Sequence, residues 1–320
     1  LPNGVGYNIG VITLSNGERI EFLTGSGALG FDGRGWWWEY PLRWVGILDP
    51  HAFTIVVKTL TLHPRRGNLR WYAPWRCVRL IPGGVVNAVG LTNPGIDWWI
   101  RAGYPRMQKA GLQTVVSVFA ETESEAHALA QKLKPLYLAG IELNASCPNV
   151  PHESTVCHVV RLAEILKQAG HPLIVKVGYD QPYVAIAQAI EGIAEAIHAI
   201  NAVPWQWIYP EKPSPMARLG GGGVSGEPIR PMVREAIRQL RQQTRIALIA
   251  GGGIYTLEDL EALWALGARA FSIGTLFLRT PWQPNRLVRA WRRQHPTECT
   301  GSDPDPAPPP QDAPSHTPHR

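Results

Sequence analysis

Short apolar runs alternate with longer amphipathic stretches along most of the chain. Eight runs have the length and β-branched content of buried strands, and in chain order they are FLTGSG, FTIVVKT, TVVSVF, GIELNAS, PLIVKVG, AIHAIN, IALIAGGG and AFSIGT. Between the later runs, apolar residues recur at helical spacing in ESEAHALAQKLKPL, VCHVVRLAEILKQAG, YVAIAQAIEGIAEAI, PIRPMVREAIRQLRQ and TLEDLEALWALGA. A repeated order of strand and helix predicts a parallel sheet that is covered by helices.

The number of strands separates two folds of this α/β class. Eight units favour closure into a (β/α)8 TIM barrel over an open doubly wound sheet. We therefore predict one barrel domain over residues 1–301. Residues 60–100, between the second and third strands, are rich in Pro, Gly and Trp, which predicts a long inserted loop region instead of one helix. Residues 302–320 are rich in proline and contain no large apolar residue, which predicts a disordered tail.

The composition is that of a soluble globular protein with a substantial core, since 45% of the residues are hydrophobic and 18% are charged. The net charge is +6, and the Arg-rich stretches REAIRQLRQQTR and RLVRAWRRQ have the spacing of solvated helix faces, so we expect no nucleic-acid partner. The sequence contains no run of 18 apolar residues, so we expect no membrane span in this chain. The four cysteines form no CxxC pair and lack metal-ligand spacing, so we expect no metal site and a reducing, cytoplasmic location.

Polar residues gather where the predicted strands end, which in a parallel barrel is the face that carries the active site. Lys176 lies within the apolar run LIVKV, where either a salt bridge or a bound ligand would satisfy its ammonium. Asn144 either ties down a loop or binds a ligand. Cys147 follows the strand end between Ser146 and Pro148, and it is either a small buried side chain or an acid–base group with a tuned pKa.

Glycine clusters follow the last strands. GGG at 251–253 and GT at 274–275 end the seventh and eighth strands, and GGGGVSG at 220–226 precedes a helix. Any one cluster could be a tight turn, but loops without side chains that lead into helices expose backbone N–H groups to a phosphate. Three such clusters on neighbouring loops favour a phosphate site.

Together these motifs resemble those of the dihydroorotate dehydrogenase family of FMN-dependent (β/α)8 barrels. The resemblance covers almost the whole chain before the tail, and the segments that carry it, in the family's order, are LTGSGALGF, VVKTLTLHPRRGN, VNAVGLTNPG, IELNASCPNV, IVKVG, GGGVSG, ALIAGGGI and FSIGTLF. It implies an oxidoreductase of the CH–CH group that uses FMN to oxidise (S)-dihydroorotate to orotate in pyrimidine (UMP) biosynthesis. The SCPN motif resembles the class 1 enzymes, which have Cys as the base, and differs from the quinone-linked type, which has Ser.

The resemblance also implies roles for individual residues. Cys147 would remove the C5 proton of dihydroorotate while hydride leaves C6 for flavin N5, and Lys176 would stabilise the negative charge that forms at the N1–O2 edge of the flavin. The substrate-binding residues would be Lys58, Asn87, Asn144, Asn149 and Asn201. The flavin-binding residues would be Ser26, Gly27, Lys58, Thr59, Asn144, Lys176, Gly226, Gly252, Gly253, Gly274 and Thr275.

The chain departs from the family's pattern in three places. Ala202 stands where the family usually has Thr or Ser, the stretch LRWYAPWRCVRLIPGG after Asn68 is unusual, and AVPWQWIYPEKP adds two tryptophans that we expect above the flavin. The electron acceptor is left open between fumarate, a quinone, and NAD reached through a partner subunit with FAD and an iron–sulfur cluster. The segments NAVGLTNPG and GGGVSG favour the partner-dependent type. We also expect a homodimer.

Two other functions are compatible with such a barrel. A dihydropyrimidine dehydrogenase-like reductase acting on uracil or thymine shares the flavin and the cysteine loop, but tends to have His where this chain has Asn149. A non-catalytic flavoprotein subunit would be expected to have lost Cys147 or Lys176, and this chain has both.

Overall fold

The computed structural model describes residues 11–145 and 152–296, with the backbone alone for residues 152–154. Two of the predicted site residues, Cys147 and Asn149, lie outside the described residues, as does the tail at 302–320. The division of the chain into a barrel at 1–301 and a tail therefore stays a prediction.

Eight parallel strands form the barrel that the alternating pattern predicts. They are β1 Phe22–Thr24, β2 Ile55–Val56, β3 Thr114–Val118, β4 Gly140–Asn144, β5 Leu173–Val177, β6 Ala196–Ala199, β7 Ala247–Gly251 and β8 Ala270–Ile273. From β2 to β8 each strand pairs with the next one along the chain, and β8 pairs with β1. Two backbone hydrogen bonds close the ring, from Thr24 N to Thr54 O at 3.0 Å and from Thr54 N to Phe22 O at 2.8 Å.

Side chains along each strand alternate between the two faces of the barrel wall. In β5, Val175 and Val177 belong to the large core between strands and helices, whereas Ile174 belongs to a small separate core inside the barrel. The same alternation directs Lys176 inward, closer to the C-terminal end. The inner side chains of β5 therefore change from apolar to charged along the barrel axis.

Helices follow the strands on the outside of the barrel. The longer ones are Glu123–Leu133, His152–Lys167, Tyr183–Ala189, Arg230–Gln243, Leu257–Ala265 and Pro284–Gln294, and the shorter ones are Tyr40–Trp44, Ile96–Trp98, Tyr104–Lys109, Trp205–Ile208 and Thr275–Arg279. A π-helical segment lies at Trp99–Gly103, and single 3-10 turns lie at Pro50–Ala52, Pro74–Arg76, Ala217–Leu219 and Glu227–Ile229. None of the helices in the described ranges is long and apolar enough to cross a bilayer.

The five predicted helices are present, but one of them is shorter than the pattern indicates. In YVAIAQAIEGIAEAI, apolar residues recur at helical spacing up to residue 197, whereas the helix ends at Ala189. Gly192 has φ +78°, which a continuing α-helix does not allow, and Ala196–Ala199 is strand β6. A buried strand and a buried helical turn have the same apolar composition, so spacing alone placed this boundary wrongly.

A short antiparallel hairpin covers the N-terminal end of the barrel. Its strands are Ile12–Thr13 and Arg19–Ile20. Ile12, Leu14 and Ile20 are buried against the apolar side chains inside the barrel. The C-terminal end is therefore the open end.

The insertion after β2 supplies half of a second, antiparallel sheet at the open end. In spatial order its four strands are Val203–Pro204, Gly223–Gly226, Gly84–Asn87 and Val78–Ile81. The guanidinium of Arg279 donates to Ile81 O at 2.8 Å and to Gly84 O at 2.9 Å, which ties this sheet to the helix after β8. The predicted irregular insertion is thus confirmed and has a fixed position over the barrel.

Candidate active site

A cavity of about 500 Å³ lies between the strand ends and the antiparallel sheet. No carboxylate from the described residues lines it. Ten of the predicted site residues do line it, namely Ser26, Gly27, Lys58, Asn87, Lys176, Asn201, Gly252, Gly253, Gly274 and Thr275. These ten are most of the predicted site residues and about a third of the residues that line the cavity, and they come from distant parts of the chain.

A chain of hydrogen bonds connects polar residues from several strands beside the cavity. Asn201 Nδ2 donates to Asn144 Oδ1 at 3.4 Å, and Asn144 Nδ2 donates to Thr59 Oγ1 at 3.4 Å. The Thr59 hydroxyl is also 3.0 Å from the hydroxyls of Ser26 and Ser117. Thr59 and Asn144 thus support the lining residues Ser26 and Asn201, and direct ligand contact by the two supporting residues stays a prediction.

Lys176 brings a positive charge into the cavity wall. It lies in β5, in register with Asn144 of β4 and His198 of β6, and is 7% exposed. Among the residues that the structure describes, its ammonium has neither a hydrogen bond nor a carboxylate within 4 Å. Lys176 therefore forms no direct salt bridge with a described residue, and a buried ammonium in the cavity wall favours an anionic ligand.

Lys58 adds a second ammonium to the same cavity. Its Nζ lies 5.8 Å from the centroid of the Phe31 ring, within the range of a cation–π contact. Burial lowers the pKa of Lys58 from 10.5 to about 8, against a smaller opposing effect of Cys77. A bound anion would favour the charged form of this lysine.

A buried Glu–His pair lies inside the barrel next to Lys176. His198 Nδ1 is 2.7 Å from Glu142 Oε2, and both side chains are almost fully inaccessible. Burial by itself would raise the pKa of Glu142, but the charge of Lys176 and the hydrogen bond from His198 outweigh burial and hold the pKa at about 2. Burial and the charge of Lys176 lower the pKa of His198, although Glu142 opposes them. The pair is therefore a carboxylate and a neutral imidazole that donates its Nδ1 proton.

Neither member of this pair was among the predicted site residues. A signal was nevertheless present, because GIELN and AIHAIN each place a titratable side chain in an otherwise apolar strand. A buried charge needs a partner, so Glu142 and His198 could have been predicted to meet inside a barrel.

The glycine-rich loops border the cavity after β7 and β8. Gly252 and Gly253 have φ of +110° and +70°, and Gly226 has φ +99°. Side chains at these positions would be strained, so glycine is required by the backbone. Thr275 Oγ1 donates to Ser225 Oγ at 2.9 Å, which links the loop after β8 to the antiparallel sheet beside Gly226. Gly226 does not itself line the cavity.

Tryptophans form an aromatic wall of the cavity. Trp36 Nε1 donates to Gly27 O at 3.0 Å, and the Trp36 ring is stacked on Trp38, with centroids 5.6 Å apart and planes inclined by 6°. Trp71 and Trp75 of the insertion line the outer part and remain mostly exposed. Flat apolar walls of this kind suit a planar ligand.

The two tryptophans expected above the flavin do not line the cavity. Trp205 is buried, and its Nε1 donates to Lys212 O at 2.7 Å. The Trp207 ring packs edge-on against Tyr179, with centroids 6.2 Å apart. Their segment forms the short helix Trp205–Ile208 at the side of the antiparallel sheet.

The cavity residues fit a planar, phosphate-bearing cofactor. Two ammoniums without a carboxylate in the lining offer positive charge, the tryptophans offer flat walls, and the loops after β7 and β8 border the cavity with glycine backbone. A flavin has each of the complementary features, namely a flat ring that gains negative charge and an anionic phosphate. The residues present are therefore compatible with the cofactor that the sequence resemblance implies.

Comparisons with known proteins show the family to which this chain is similar. A family model described as dihydroorotate dehydrogenase matches residues 45–291. The dihydroorotate dehydrogenase B (NAD(+)) catalytic subunit of Desulforudis audaxviator is 34% identical over 282 residues, which cover 84% of this chain and 85% of the relative. Proteins with the same name from Geobacter sp. strain M21 and Enterococcus faecalis are 31% and 30% identical, covering 85% and 90% of this chain and 88% and 90% of the relatives.

A solved structure is similar in fold. The crystal structure of DHODH in complex with ferulenol from Eimeria tenella has a TM-score of 0.63 and 18% identity, and the match covers 90% of this chain and 85% of that one. At this identity the likeness supports the barrel alone. The family model and the relatives above 30% identity extend over most of the chain, and the chain accordingly belongs to the dihydroorotate dehydrogenase family.

Proposed function

We propose that the protein is an FMN-dependent dihydroorotate dehydrogenase, which oxidises (S)-dihydroorotate to orotate in pyrimidine (UMP) biosynthesis. One observation carries the proposal: Lys58 and Lys176 both line the cavity, and no described carboxylate does. Dihydroorotate is a carboxylate, and a flavin gains negative charge when it is reduced. Both ligands therefore suit a cavity whose wall carries two ammoniums and no described carboxylate.

FMN, when bound, supplies the hydride acceptor. Lys176 would stabilise negative charge at the N1–O2 edge of the ring, and its place in the cavity wall, with no described carboxylate within 4 Å, supports this role. The other residues proposed to hold FMN are Ser26, Gly27, Lys58, Thr59 and Asn144 at the ring, and Gly226, Gly252, Gly253, Gly274 and Thr275 at the phosphate.

Amides and Lys58 would bind the substrate. Asn87 and Asn201 line the cavity, and Asn144 holds Asn201 in place at 3.4 Å. Each amide offers a donor and an acceptor, which matches the alternating groups of a pyrimidine. Lys58 would pair with the substrate carboxylate. Ala202 also lines the cavity and has no hydroxyl to add a hydrogen bond.

Cys147 is proposed as the base, supported by the IELNASCPN motif. The strand end before it is firmly held, because Ala145 N donates to Lys176 O at 2.9 Å and Gln181 Nε2 donates to Ala145 O at 2.7 Å. The thiolate would take the C5 proton while the C6 hydrogen leaves with its electron pair, and the C5–C6 double bond of orotate forms. Asn149 of the same motif would contact the pyrimidine.

The names of the relatives support a particular electron acceptor. They are catalytic subunits of NAD(+)-linked enzymes. We propose that this chain works as a cytoplasmic homodimer with a separate electron-transfer subunit that carries FAD and an iron–sulfur cluster. The purified chain should then reduce NAD with dihydroorotate only after that subunit is added, and reduction of NAD by the chain alone would contradict this part of the proposal.

Anaerobic mixing of the purified yellow protein with dihydroorotate tests the main proposal. The flavin absorbance should bleach on addition of dihydroorotate and remain unchanged with dihydrouracil. A flavin that is bleached by dihydrouracil and not by dihydroorotate would support the uracil or thymine reductase instead. A bound flavin that responds to neither would support a non-catalytic subunit.

A further inference from the structure

The Glu142–His198 pair has no place in the function proposed above, although it lies beside Lys176. We propose that His198 is a positioning residue: by donating a hydrogen bond to Glu142 it satisfies that carboxylate, so that the Lys176 ammonium remains directed at the flavin. The inference rests on the proposed function, because it takes the flavin to be the ligand that Lys176 meets. His198 itself need not touch the flavin.

The order of the strands brings the three charged or titratable groups together. Strand β5, which carries Lys176, lies between β4 with Glu142 and β6 with His198. Glu142 is in register with Ile174, and His198 is in register with Lys176 itself. The 2.7 Å hydrogen bond therefore spans β5 inside the barrel, next to the lysine.

His198 is the donor on which the carboxylate depends. Glu142 is fully buried, and its second oxygen, Oε1, has no hydrogen-bond partner among the residues that the structure describes. The Ser117 hydroxyl, which is also 3.0 Å from Thr59 Oγ1, lowers the pKa of Glu142 as well, but less than the hydrogen bond from His198 does. Without the imidazole, a buried carboxylate would be left without a strong donor, which is costly.

Lys176 is the cation that would respond to this loss. Its charge already acts on both members of the pair, because it lowers the pKa of Glu142 and of His198. Its long side chain has several rotatable bonds, and no described carboxylate lies within 4 Å of its ammonium. A carboxylate deprived of its donor would attract the ammonium toward the barrel interior, away from the cavity, and the flavin would lose part of the favourable field.

The barrel wall leaves room for the imidazole. A β-carbon at Gly251 of β7 would stand 2.6 Å from His198 Nε2 and 3.3 Å from its Cδ2. The φ of Gly251 lies outside the left-handed region, so glycine at this position provides space and is not required by the backbone. The position of the ring can therefore be changed without changing the histidine itself.

The test compares flavin reduction potentials of the purified flavoprotein, measured by reductive titration against a reference dye, without dihydroorotate. His198→Leu removes the donor and should shift the reduction equilibrium about tenfold toward the oxidised flavin, which for a two-electron couple is about 30 mV. His198→Asn keeps an N–H donor at the position of Nδ1 and should stay within about threefold of the parent. Gly251→Ala, which displaces the ring, should shift the equilibrium in the same direction as His198→Leu.

His171 provides the control, since its Nε2 is 3.0 Å from Leu133 O and it does not line the cavity. His171→Leu should leave the potential unchanged. An unchanged potential in His198→Leu, or an equal shift in His198→Asn and His198→Leu, would overturn the inference. If His198→Leu does not fold, an unchanged potential in Gly251→Ala overturns it.

The two proposals fail in different ways. The variants could show the expected shifts in flavin reduction potential while dihydroorotate fails to bleach the parent flavoprotein. That result would overturn the proposed function and support the role of His198 toward the flavin. A chain that retains no flavin would overturn both. A chain that oxidises dihydroorotate with the same flavin potential in every variant would overturn the inference alone.

Discussion

Gly27 leaves the space in which the stem of Lys58 lies, since a β-carbon on the glycine would stand 3.0 Å from Lys58 Cγ and 3.2 Å from its Cβ. Gly27 has φ +83°, and its carbonyl accepts the hydrogen bond from Trp36. The glycine therefore brings a lysine and an aromatic wall together at one edge of the cavity. Its backbone conformation and its lack of a side chain are both required.

Gly27→Ala should weaken the binding of orotate. The added methyl group would displace the Lys58 stem and the ammonium with it, and the left-handed backbone would cost about 1–2 kcal/mol of stability. Gly17 is a matched control, because it has φ +84° and no atom within 4 Å of its ideal β-carbon. Gly17→Ala should lose similar stability and keep its affinity for orotate. Thermal unfolding and orotate titration of both variants check the prediction, and equal affinities would contradict it.

The charge of Lys58 should make anion binding sensitive to pH. Its pKa is about 8 in the folded chain, below the ordinary value of 10.5. Orotate binding should therefore weaken above pH 8, by up to about tenfold per pH unit, as the free protein loses the ammonium. A titration from pH 7 to pH 10 measures this, and Lys58→Met should bind weakly with a flatter profile. A parent protein whose affinity does not change over this range would contradict the prediction.

The same pKa has an opposite effect on the stability of the ligand-free protein. Between pH 8 and 10.5 the folded chain binds fewer protons at Lys58 than the unfolded chain does. The Lys58 contribution to the free energy of unfolding should therefore increase as the pH rises through this window. Chemical denaturation of the parent and of Lys58→Met separates this contribution, because the difference between the two should change with pH. A difference in the free energy of unfolding that stays constant with pH would contradict the prediction.

Lys176→Met should weaken flavin retention or slow flavin reduction. The substitution keeps an apolar stem of similar length and removes the charge, so the negative charge of the reduced flavin loses its stabilising partner. Lys167→Met is the control, because Lys167 is exposed and its ammonium donates to Gly192 O at 2.6 Å, away from the cavity. The flavin content after gel filtration and the rate of anaerobic bleaching are the measurements. A fully active yellow Lys176→Met protein would refute the assignment.

Cys147→Ser should slow flavin reduction by dihydroorotate by about 100-fold or more at neutral pH and shift its pH dependence upward, because a serine hydroxyl is a weaker acid than a thiol. Cys157→Ser is the control, since Cys157 is exposed and does not line the cavity. Stopped-flow bleaching at several pH values checks the prediction. An unchanged rate and pH profile in Cys147→Ser would remove the residue from the role of base.

The fold was predictable because the apolar runs and the amphipathic stretches between them indicate the same architecture. The run LIVKV and its seven counterparts are too apolar to face water on either side, and the amphipathic stretches between the later runs supply the cover. The end of the helix at Ala189 was not predictable from spacing, because the residues that follow it are equally apolar in helix and strand. Gly192 was the available signal for that boundary.

The candidate site was predictable only in part, because a sequence shows unusual residues within one segment but not the contacts between distant segments. Lys176 stands out because a lysine is conspicuous in a buried strand, and the glycines stand out because they cluster. The partnership of Glu142 with His198 depends on two strands that are separated by a third, which only the closed barrel brings into contact. The wall of Trp36 and Trp38 likewise depends on how the loop after β1 folds back onto Gly27.

Among the described residues, the hairpin of Ile12–Thr13 and Arg19–Ile20 covers one end of the barrel, and the cavity lies at the other end. Lys176, proposed to meet the flavin, is almost fully buried, whereas the tryptophans of the outer wall are mostly exposed. The flavin would then have to enter first and could leave only after the pyrimidine, so it would stay through many turnovers while orotate departs past it. With the flavin retained and orotate released, the catalytic cycle would divide into two separate half-reactions, one that reduces the flavin and one that reoxidises it.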